Sequence, residues 1–505
     1  MDSLVQVLQK TAARRPDRPA LVTGEVQMTW GELSAAVDAA AAGLQRLGVE
    51  PGDRVGLVLP NCPQFVITYL ACVRMGAMAV PLNPVLAPEE AAYIVADAGA
   101  KAVVAVQQTA PLAQAAASGA GGVEHLIVSG DDIPTGALDF RALLAGGPGE
   151  LPEPRGGDEV AALMYTSGTT GRPKGAQLSH RNLLFDARAS VAAVRMFEDD
   201  VFLSVLPLFH SFGATVCMVI PMLMGATSVL VPRFEPLPVL EAVQRSRATI
   251  FPGVPSMFAV LAGLKTDREF DAGSLRLCIS GGAALPRELT PAFEQRYRTT
   301  LLEGYGPTEA SPVVSVNRSE ETRKIGTVGP PLPGVEVEVR DEDQLLPVGE
   351  IGEICVRGDN VMTGYWRDPE KTARAIRDGW LYTGDVGALD EDGYITIVDR
   401  KTDMIIVSGL NVYPREVEDV IRRLPQVRDC AVVGARSELR GEIVTAWVEL
   451  HDGQAVANGD VIEHCSEHLA RYKIPRQIHF VDGLPRSATG KVLKRELRER
   501  AATEV

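Results

Sequence analysis

Helix and strand patterns alternate through the first 110 residues of this 505-residue chain. Thr29 and Glu32 fit a helix capping box, and apolar residues then recur at helical spacing up to Gly48. Strands are predicted at 55–59, 79–82 and 102–106, and helices at about 64–74 and 88–98. Because consecutive parallel strands need crossover connections, this alternation predicts an α/β fold in which helices cover a parallel sheet.

A loop rich in glycine and hydroxyl residues follows the apolar run at 160–164. It reads Tyr-Thr-Ser-Gly-Thr-Thr-Gly-Arg-Pro-Lys-Gly over residues 165–175. Backbone N–H groups and hydroxyls in such a loop can bind an anion, and the lysine adds a positive charge. The loop therefore predicts a site for a nucleotide polyphosphate, with a surface turn as the alternative. A P-loop NTPase is excluded, because that motif needs Gly-Lys-Ser/Thr and Lys174 here lies between Pro173 and Gly175.

Composition and charge exclude several other classes of protein. The chain is 46% hydrophobic and 23% charged, as globular proteins are, and its formal charge of −15 argues against non-specific binding to nucleic acid or acidic membranes. The seven cysteines show no zinc or C-x-x-C spacing, which favours free thiols and a cytoplasmic location. The longest apolar stretch, 216–232, contains Pro221 and Gly225 and predicts a buried helix and strand, not an integral membrane segment.

The pattern changes in the second half of the chain. Residues 107–157 are rich in Ala, Gly and Pro, and we expect a variable surface connection there. Alternating strands predicted at 335–340, 351–356 and 394–398 indicate a β subdomain. An α+β pattern follows, with helices at 414–424 and 460–471 and strands at 431–434 and 443–448. We therefore predict a large domain over 1–399, a hinge at 400–402 and a small domain over 403–505.

Further motifs follow the glycine-rich loop along most of the chain. They are Leu-Pro-Leu-Phe-His-Ser-Phe-Gly at 206–213, Ser-Gly-Gly-Ala-Ala-Leu-Pro at 280–286, Glu-Gly-Tyr-Gly-Pro-Thr-Glu at 303–309, Tyr-Thr-Gly-Asp at 382–385 and Leu-Pro-Arg-Ser-Ala-Thr-Gly-Lys at 484–491. In this order they resemble the adenylate-forming superfamily, which includes acyl-CoA synthetases, adenylation domains and firefly luciferase. The resemblance implies a large N-terminal domain of βα sheet subdomains with a β subdomain, and a small mobile α+β C-terminal domain.

The resemblance also implies a set of residues that bind ATP and AMP. Tyr305 can stack on adenine, Thr308 can donate to the α-phosphate, and the Glu309 carboxylate is suited to Mg²⁺. Asp385 can accept from both ribose hydroxyls, although an Asx cap is the alternative role for an aspartate in such a turn. The full set is Thr166, Ser167, Gly168, Thr169, Thr170, Lys174, Gly282, Ala283, Ala284, Glu303, Gly304, Tyr305, Gly306, Thr308, Asp385, Arg400 and Lys491.

The acyl pocket is implied in the same way. His210 is expected beside the substrate carboxylate, with a buried structural histidine as the alternative. The expected walls carry no Lys or Arg, which disfavours a second carboxylate on the substrate. The implied lining is Phe209, His210, Phe212, Val254, Met257, Phe258, Gly281, Gly282, Ala310 and Val314.

The last motifs are expected to move between two half-reactions. Lys491, in a Gly-Lys turn, can stabilise the charge that develops during adenylation, and a solvated basic tail is the alternative. Thr402 occupies the hinge position where relatives usually have Lys or Asp, which weakens the expectation of a hinge. The loop expected to face coenzyme A is Ser408, Gly409 and Leu410. Catalytic roles are implied for Lys491, His210, Glu309 and Thr166.

The resemblance therefore predicts an ATP-dependent acid–thiol ligase. A carboxylic acid, most similar to medium- or long-chain fatty acids or another bulky apolar acid, would form acyl-AMP with release of pyrophosphate, and the acyl group would then pass to coenzyme A. The alternatives are an aryl-CoA ligase, an acyl-AMP ligase that loads a carrier protein, and a non-catalytic nucleotide-binding relative. A homodimer is possible, and no nucleic-acid partner is expected.

Overall fold

The computed structural model describes residues 2–147, 149–166, 172–407, 410–437, 441–487 and 490–503. The chain divides into two compact units. The first comprises Met1–Val337 and Val356–Tyr382, and the second comprises Glu338–Cys355 and Thr383–Val505. The predicted α/β fold is confirmed, since the first unit contains two large, mainly parallel sheets connected by helices.

The first large sheet has eight strands among the described residues. Their order is Ser315–Val316, Thr300–Tyr305, Leu277–Ser280, Ile250–Gly253, Val201–Ser204, Thr227–Leu230, Pro19–Thr23 and Val26–Thr29. All neighbours are parallel except the outermost pair at each edge. The motifs at 206–213, 280–286 and 303–309 therefore lie at or just beyond the carboxyl ends of parallel strands, where open α/β sheets bind ligands.

The second large sheet also has eight described strands and supports the glycine-rich loop. Their order is Gly364–Tyr365, Lys174–Ser179, Val160–Thr166, Met78–Pro81, Arg54–Val58, Ala102–Val106, His125–Ser129 and Leu138–Asp139. The strands on either side of the loop are antiparallel, with Thr166 opposite Lys174. This pairing fixes the two ends of the loop next to each other.

Helices connect these strands, and their ends follow the sequence signals. The predicted capping box is confirmed, because Thr29 Oγ1 accepts from the Glu32 N–H at 3.2 Å and Glu32 accepts from the Thr29 N–H at 2.8 Å. The α-helices of the first unit are Leu4–Arg14, Trp30–Arg46, Pro63–Met75, Pro88–Ala98, Ala110–Ala120, Phe140–Leu144, His180–Ala193, Ser211–Ala214, Ile220–Met224, Pro236–Ser246, Pro255–Ala262, Leu289–Tyr297 and Pro369–Ala375, with a π-helical turn at Thr215–Val219 and 3₁₀ turns at Gln107–Thr109 and Thr308–Ala310.

The region 107–157, expected to be a variable surface connection, contains regular secondary structure. The helix Ala110–Ala120 packs on the helix Pro88–Ala98, and the strand His125–Ser129 extends the sheet. A Cβ built on Gly119 would lie 2.8 Å from the Ala92 Cβ, so the two helices approach closely because both carry small residues. An alanine-rich helix has little apolar contrast between its faces, which explains the weak periodicity.

The second unit begins with antiparallel strands, as the alternating patterns predict. Glu336–Asp341 pairs with Gln344–Leu345, and Trp380–Leu389 pairs with Ile395–Arg400. In the latter pair Asp385 lies opposite Arg400. The strand Gly352–Arg357 follows in the sequence, and the strand Ile376–Arg377 belongs to the first unit.

A separate sheet of five described strands forms the C-terminal part of the second unit. Its strands are Leu410–Val412, Ile405–Val407, Gly441–Leu450, Val427–Ser437 and Gln477–Val481, accompanied by the helices Pro414–Ile421, Asn458–His468 and Lys494–Thr503. Val417, Val432 and Val461 belong to one buried apolar cluster between the helices and the sheet. The predicted α+β pattern is confirmed here.

Thr402 lies in an exposed turn directly after the strand Ile395–Arg400. The Arg400 carbonyl accepts from the Asp403 N–H at 2.9 Å and from the Met404 N–H at 3.2 Å. The predicted hinge thus lies within the second unit, and its movement stays a prediction. None of the helices in the described part of the chain is long and apolar enough to cross a bilayer.

We expect Gly43→Ala to destabilise the first unit. A Cβ at Gly43 would lie 2.4 Å from the carbonyl oxygen of Leu143 and 2.9 Å from its Cα, so the helix Trp30–Arg46 would have to move. Overpacking of this kind costs about 1–3 kcal/mol of unfolding free energy. Denaturant unfolding measures the change. The control is Gly122→Ala, where nothing lies within 4 Å of the new Cβ, and equal unfolding free energies for the two variants would contradict the packing described here.

Candidate active site

The Glu309 carboxylate lies at the meeting point of three segments of the first unit. Its Oε1 accepts from the Tyr365 phenol at 2.9 Å and lies 3.4 Å from the Thr166 hydroxyl. The Met362 N–H donates to the Glu309 carbonyl at 2.8 Å. Burial, followed by the nearby Glu309 charge, raises the pKa of Tyr365, so this phenol stays protonated and continues to donate.

The residues at the two ends of the glycine-rich loop lie beside this carboxylate. The Lys174 ammonium is 5.2 Å from the centre of the Tyr365 ring, within the range of a cation–π interaction. Ser167, Gly168, Thr169 and Thr170 lie outside the described residues. A Cβ on Gly175 would lie 3.1 Å from the Tyr165 ring and 3.3 Å from the Trp366 Cβ, so glycine allows this close packing.

A second hydrogen bond joins two of the predicted motifs. The Thr308 hydroxyl lies 2.9 Å from the Ser211 hydroxyl, next to His210. The His210 ring accepts from the Phe212 N–H at Nδ1, over 3.2 Å, which leaves Nε2 as the donor of the neutral ring. His210 is therefore oriented by its own backbone and faces a cavity.

In the motif at 303–309, both side-chain contacts and close backbone packing shape the site. Glu303 is buried, and its Oε1 accepts from the Leu285 N–H at 2.9 Å, so this carboxylate holds the neighbouring loop in place. Gly282, Ala283 and Ala284 in that loop are exposed. A Cβ on Gly306 would lie only 1.9 Å from the Pro312 carbonyl oxygen, which requires glycine at this position.

An apolar cavity opens among these segments. Four of the residues predicted for the acyl pocket line it, namely His210, Phe212, Gly281 and Gly282. The rest of its lining is Ser190, Val194, Met196, Val216, Ile220, Ile279, Gly304, Tyr305, Gly306, Pro312, Val313 and Val316. No lysine or arginine belongs to this described lining.

The other residues predicted for the acyl pocket are placed differently. Phe209 is partly buried and does not line the cavity. Phe258 packs in an aromatic cluster with Phe251 and Phe293, at ring-centre distances of 5.2 Å and 5.0 Å. The remaining four are buried and are not among the lining residues, namely Val254, Met257, Ala310 and Val314.

Three predicted nucleotide-binding residues lie together in the second unit. Arg400 Nε is 3.1 Å from Asp385 Oδ1, and Asp385 is only 5% exposed. Lys491 as a whole residue is exposed. Burial of its ammonium group and then the Arg400 charge nevertheless lower the pKa of Lys491 to about 8, opposed by Asp385 and Asp403.

The loop that carries Lys491 is closed by backbone contacts. The Ser487 N–H donates to the Lys491 carbonyl at 2.8 Å, and the Lys491 N–H donates to the Ser487 hydroxyl at 3.2 Å. Of the residues expected to face coenzyme A, Leu410 is exposed at the start of its strand, while Ser408 and Gly409 lie outside the described residues.

Family comparisons agree with this geometry. Residues 8–366 match the AMP-binding enzyme family, and residues 416–491 match the AMP-binding enzyme C-terminal domain. The chain belongs to the AMP-binding enzyme family. A feruloyl-CoA synthase of an Amycolatopsis species is 38% identical over 97% of both chains. A long-chain-fatty-acid–CoA ligase of Salmonella typhimurium is 36% identical over 100% of this chain and 95% of its own length.

A solved structure extends the comparison. The anthranilate CoA ligase in complex with anthranoyl-AMP has a TM-score of 0.92 and 31% identity, and the match covers 100% of this chain and 98% of that one. This AMP-binding enzyme thus has the acyl- or aryl-CoA ligase activity of the adenylate-forming superfamily.

Sequence reasoning missed Tyr365 and most of the cavity wall. Tyr365 lies on a two-residue edge strand, too short to give a periodic pattern. One sequence signal could have indicated that the helix His180–Ala193 forms part of the cavity wall. Asp186 and Ser190 are polar residues one turn apart on a buried face of this helix.

We expect Tyr365→Phe to lower kcat/KM for MgATP about tenfold or more, since a hydrogen bond to a charged group contributes about 1.5–3 kcal/mol. The substitution removes the donor to Glu309 and keeps the ring beside Lys174. Pyrophosphate release at varied MgATP concentration measures the effect. The control is Tyr297→Phe, whose phenol donates to the Leu261 carbonyl at 3.0 Å within the core. Loss of the same size in both variants would indicate a general structural effect.

Proposed function

We propose that this enzyme joins a carboxylic acid with a bulky, apolar tail to coenzyme A and converts ATP to AMP and pyrophosphate. The cavity beside His210 and Tyr305 is the observation that carries this proposal. Its described lining is largely apolar and contains no cation to pair with a second carboxylate, which argues against dicarboxylic acids.

In the first half-reaction, a carboxylate oxygen attacks the α-phosphorus of ATP, and the bond from that phosphorus to the pyrophosphate breaks. Catalysis of such a transfer requires mainly alignment and neutralisation of charge. Lys174 and the Thr166 hydroxyl, at the two ends of the glycine-rich loop, are suited to hold the phosphates. Thr308, oriented by Ser211, is suited to donate to the α-phosphate.

Mg²⁺ fits the oxygen donors beside that loop. The Glu309 carboxylate and the Thr166 hydroxyl supply hard oxygen ligands that lie 3.4 Å apart. These two residues would hold the ion, which would neutralise phosphate charge. Tyr365 donates to the Glu309 carboxylate and keeps it oriented.

The residues of the second unit supply the remaining contacts of the proposal. Asp385 is suited to accept from the ribose hydroxyls, and Arg400 orients its carboxylate. Lys491 supplies a positive charge for the oxygens of the α-phosphate as the carboxylate attacks. A rotation about 400–402 would then withdraw Lys491 and present the loop 408–410 for the second half-reaction.

In that second half-reaction the thiol sulfur of coenzyme A attacks the acyl carbonyl, the new thioester bond forms, and AMP leaves with the electron pair of the broken anhydride bond. The relatives named as CoA ligases support coenzyme A as the acceptor over a carrier protein. Their names also span aryl and long-chain fatty acids, so the family alone leaves the tail of the acid open.

A panel of acids tests the proposal. Pyrophosphate release is measured with fatty, aryl and dicarboxylic acids, with coenzyme A, with a carrier protein bearing phosphopantetheine, or with neither. We expect release with monocarboxylic acids and a thioester only where a thiol is supplied. A thioester on the carrier protein but not on coenzyme A would favour the acyl-AMP ligase alternative, and release with no acid would contradict the proposal.

We expect Lys491→Ala to separate the two half-reactions. Loss of a group that stabilises charge only in the transition state costs about 10²–10³ in rate. Adenylation, followed as pyrophosphate release, should fall by this amount, while thioester formation from supplied acyl-AMP should change by less than about threefold because Lys491 is proposed to act in the first step only. The control is Lys265→Ala, an exposed lysine of the first unit. Equal loss in both half-reactions would contradict a rotating small domain.

The pKa of Lys491 predicts a second, independent effect. The ammonium is the active form, and its pKa in the free enzyme is lowered to about 8. We therefore expect kcat/KM for MgATP to fall as pH rises through about 8, since that ratio reports groups of the free enzyme. Lys491→Arg keeps its charge at every accessible pH and should lack this decline in whatever activity it retains. An unchanged decline in Lys491→Arg would assign it to another group.

A further inference from the structure

Two buried polar groups beside the cavity lack partners among the described residues. Ser190 is 5% exposed and belongs to the cavity lining, whereas Asp186 is 0% exposed and is not part of that lining. Ser190 Oγ and Asp186 Oδ2 both have no hydrogen-bond partner. Buried polar atoms are nearly always paired in folded proteins, so these two atoms point to a group that binds between or beside them.

Both residues lie on one face of the helix His180–Ala193. Positions four apart on a helix are neighbours on its surface, so Asp186 and Ser190 stack one turn above the other. The cavity wall continues from Ser190 to Val194 and Met196, which are apolar. Ser190 therefore contributes a hydroxyl group to a part of the cavity wall that is otherwise apolar.

The Asp186 carboxyl group also holds the part of the cavity wall that contains Val313. Asp186 Oδ1 accepts from the Val313 N–H at 3.2 Å, and Asn360 Nδ2 donates to the Val313 carbonyl at 3.1 Å. Val313 and Pro312 both line the cavity. Burial raises the pKa of Asp186 well above its usual value, because the low-polarity surroundings disfavour the charged carboxylate.

The cavity is also suited to a planar group. Four glycines line it, at positions 281, 282, 304 and 306. A Cβ on Gly281 would lie 3.1 Å from the Phe212 ring, and one on Gly304 would lie 3.2 Å from the Ser315 carbonyl oxygen. Bare backbone of this kind allows the flat face of a ring to approach closely.

We propose that Ser190 is a specificity-determining residue that hydrogen-bonds a hydroxyl substituent on an aromatic acid. The substrate class is therefore a hydroxylated aryl acid and not an unsubstituted fatty acid. This inference rests on the proposed ligase function and names the acid for the same site. The apolar wall formed by Val194, Met196 and Ile220 packs against the ring, and Asp186 holds the neighbouring wall through the Val313 N–H.

Matched pairs of acids test the inference. The pyrophosphate-release rate of the full-length enzyme is measured with 3-phenylpropenoic acid and its 3- and 4-hydroxyphenyl analogues, and with decanoic acid. We expect kcat/KM to be about three- to tenfold higher for the better hydroxylated acid, the size of one neutral hydrogen bond. Ser190→Ala should bring the ratio of kcat/KM for the hydroxylated acid to kcat/KM for the unsubstituted acid to about one.

Two further variants separate recognition from packing. Ser190→Thr keeps a hydroxyl and should retain the preference for the hydroxylated acid. Ser246→Ala removes a hydroxyl that donates to the Ala242 carbonyl within its own helix, at 2.6 Å, and should change neither rate nor ratio.

The ratio of kcat/KM for the hydroxylated acid to kcat/KM for the unsubstituted acid decides whether the inference holds. A wild-type enzyme that favours the unsubstituted or the aliphatic acid, or a ratio unchanged by Ser190→Ala, would overturn it and would indicate that a buried water satisfies Ser190. Either result would leave the ligase function intact, because acids would still be activated. Failure to release pyrophosphate with every acid would defeat the proposed function and this inference together.

Discussion

The structure of the first unit depends on one carboxylate at the meeting point of its two large sheets. Glu309 follows a strand of the first sheet, whereas Thr166 and Tyr365 belong to strands of the second. A carboxylate that accepts two hydroxyl donors ties the edges of the sheets together and fixes the base of the glycine-rich loop. The same negative charge makes the site suitable for a cation. Structure and proposed chemistry therefore depend on the same hydrogen bonds.

The polar groups around the cavity divide into two kinds. Some are bonded to the protein itself, as the Glu303 carboxylate is to the Leu285 N–H. Others, above all the Ser190 hydroxyl, have no partner in the described chain. The polar groups that are bonded to the protein hold the backbone in place. At the groups without a partner, a bound molecule gains the most binding free energy by contributing the missing hydrogen bond. This difference separates the scaffold of the site from its specificity.

Sequence patterns predicted the structure well where it depends on residues close together in the sequence. Features that depend on tertiary contacts were not predictable in this way. The capping box at Thr29 worked because its hydrogen bonds are between residues three apart. Alanine-rich packing over 107–157 gave no periodic signal. Phe258 packs in an aromatic cluster with Phe251 and Phe293, and the place in the acyl pocket that the resemblance implies for it stays a prediction. Tyr365 reaches Glu309 across 56 residues, and a pairing of that kind leaves no pattern in the sequence.

The central claim is that a carboxylate oxygen of the substrate attacks the α-phosphorus of ATP. The most direct measurement uses an acid labelled with ¹⁸O in its carboxylate, incubated with ATP and coenzyme A, with mass spectrometry of every phosphorus-containing product. The account predicts one ¹⁸O atom in AMP and none in pyrophosphate, because the labelled oxygen stays on the α-phosphorus when the thiol attacks the carbonyl. Label in inorganic phosphate, with ADP as the other product, would contradict it.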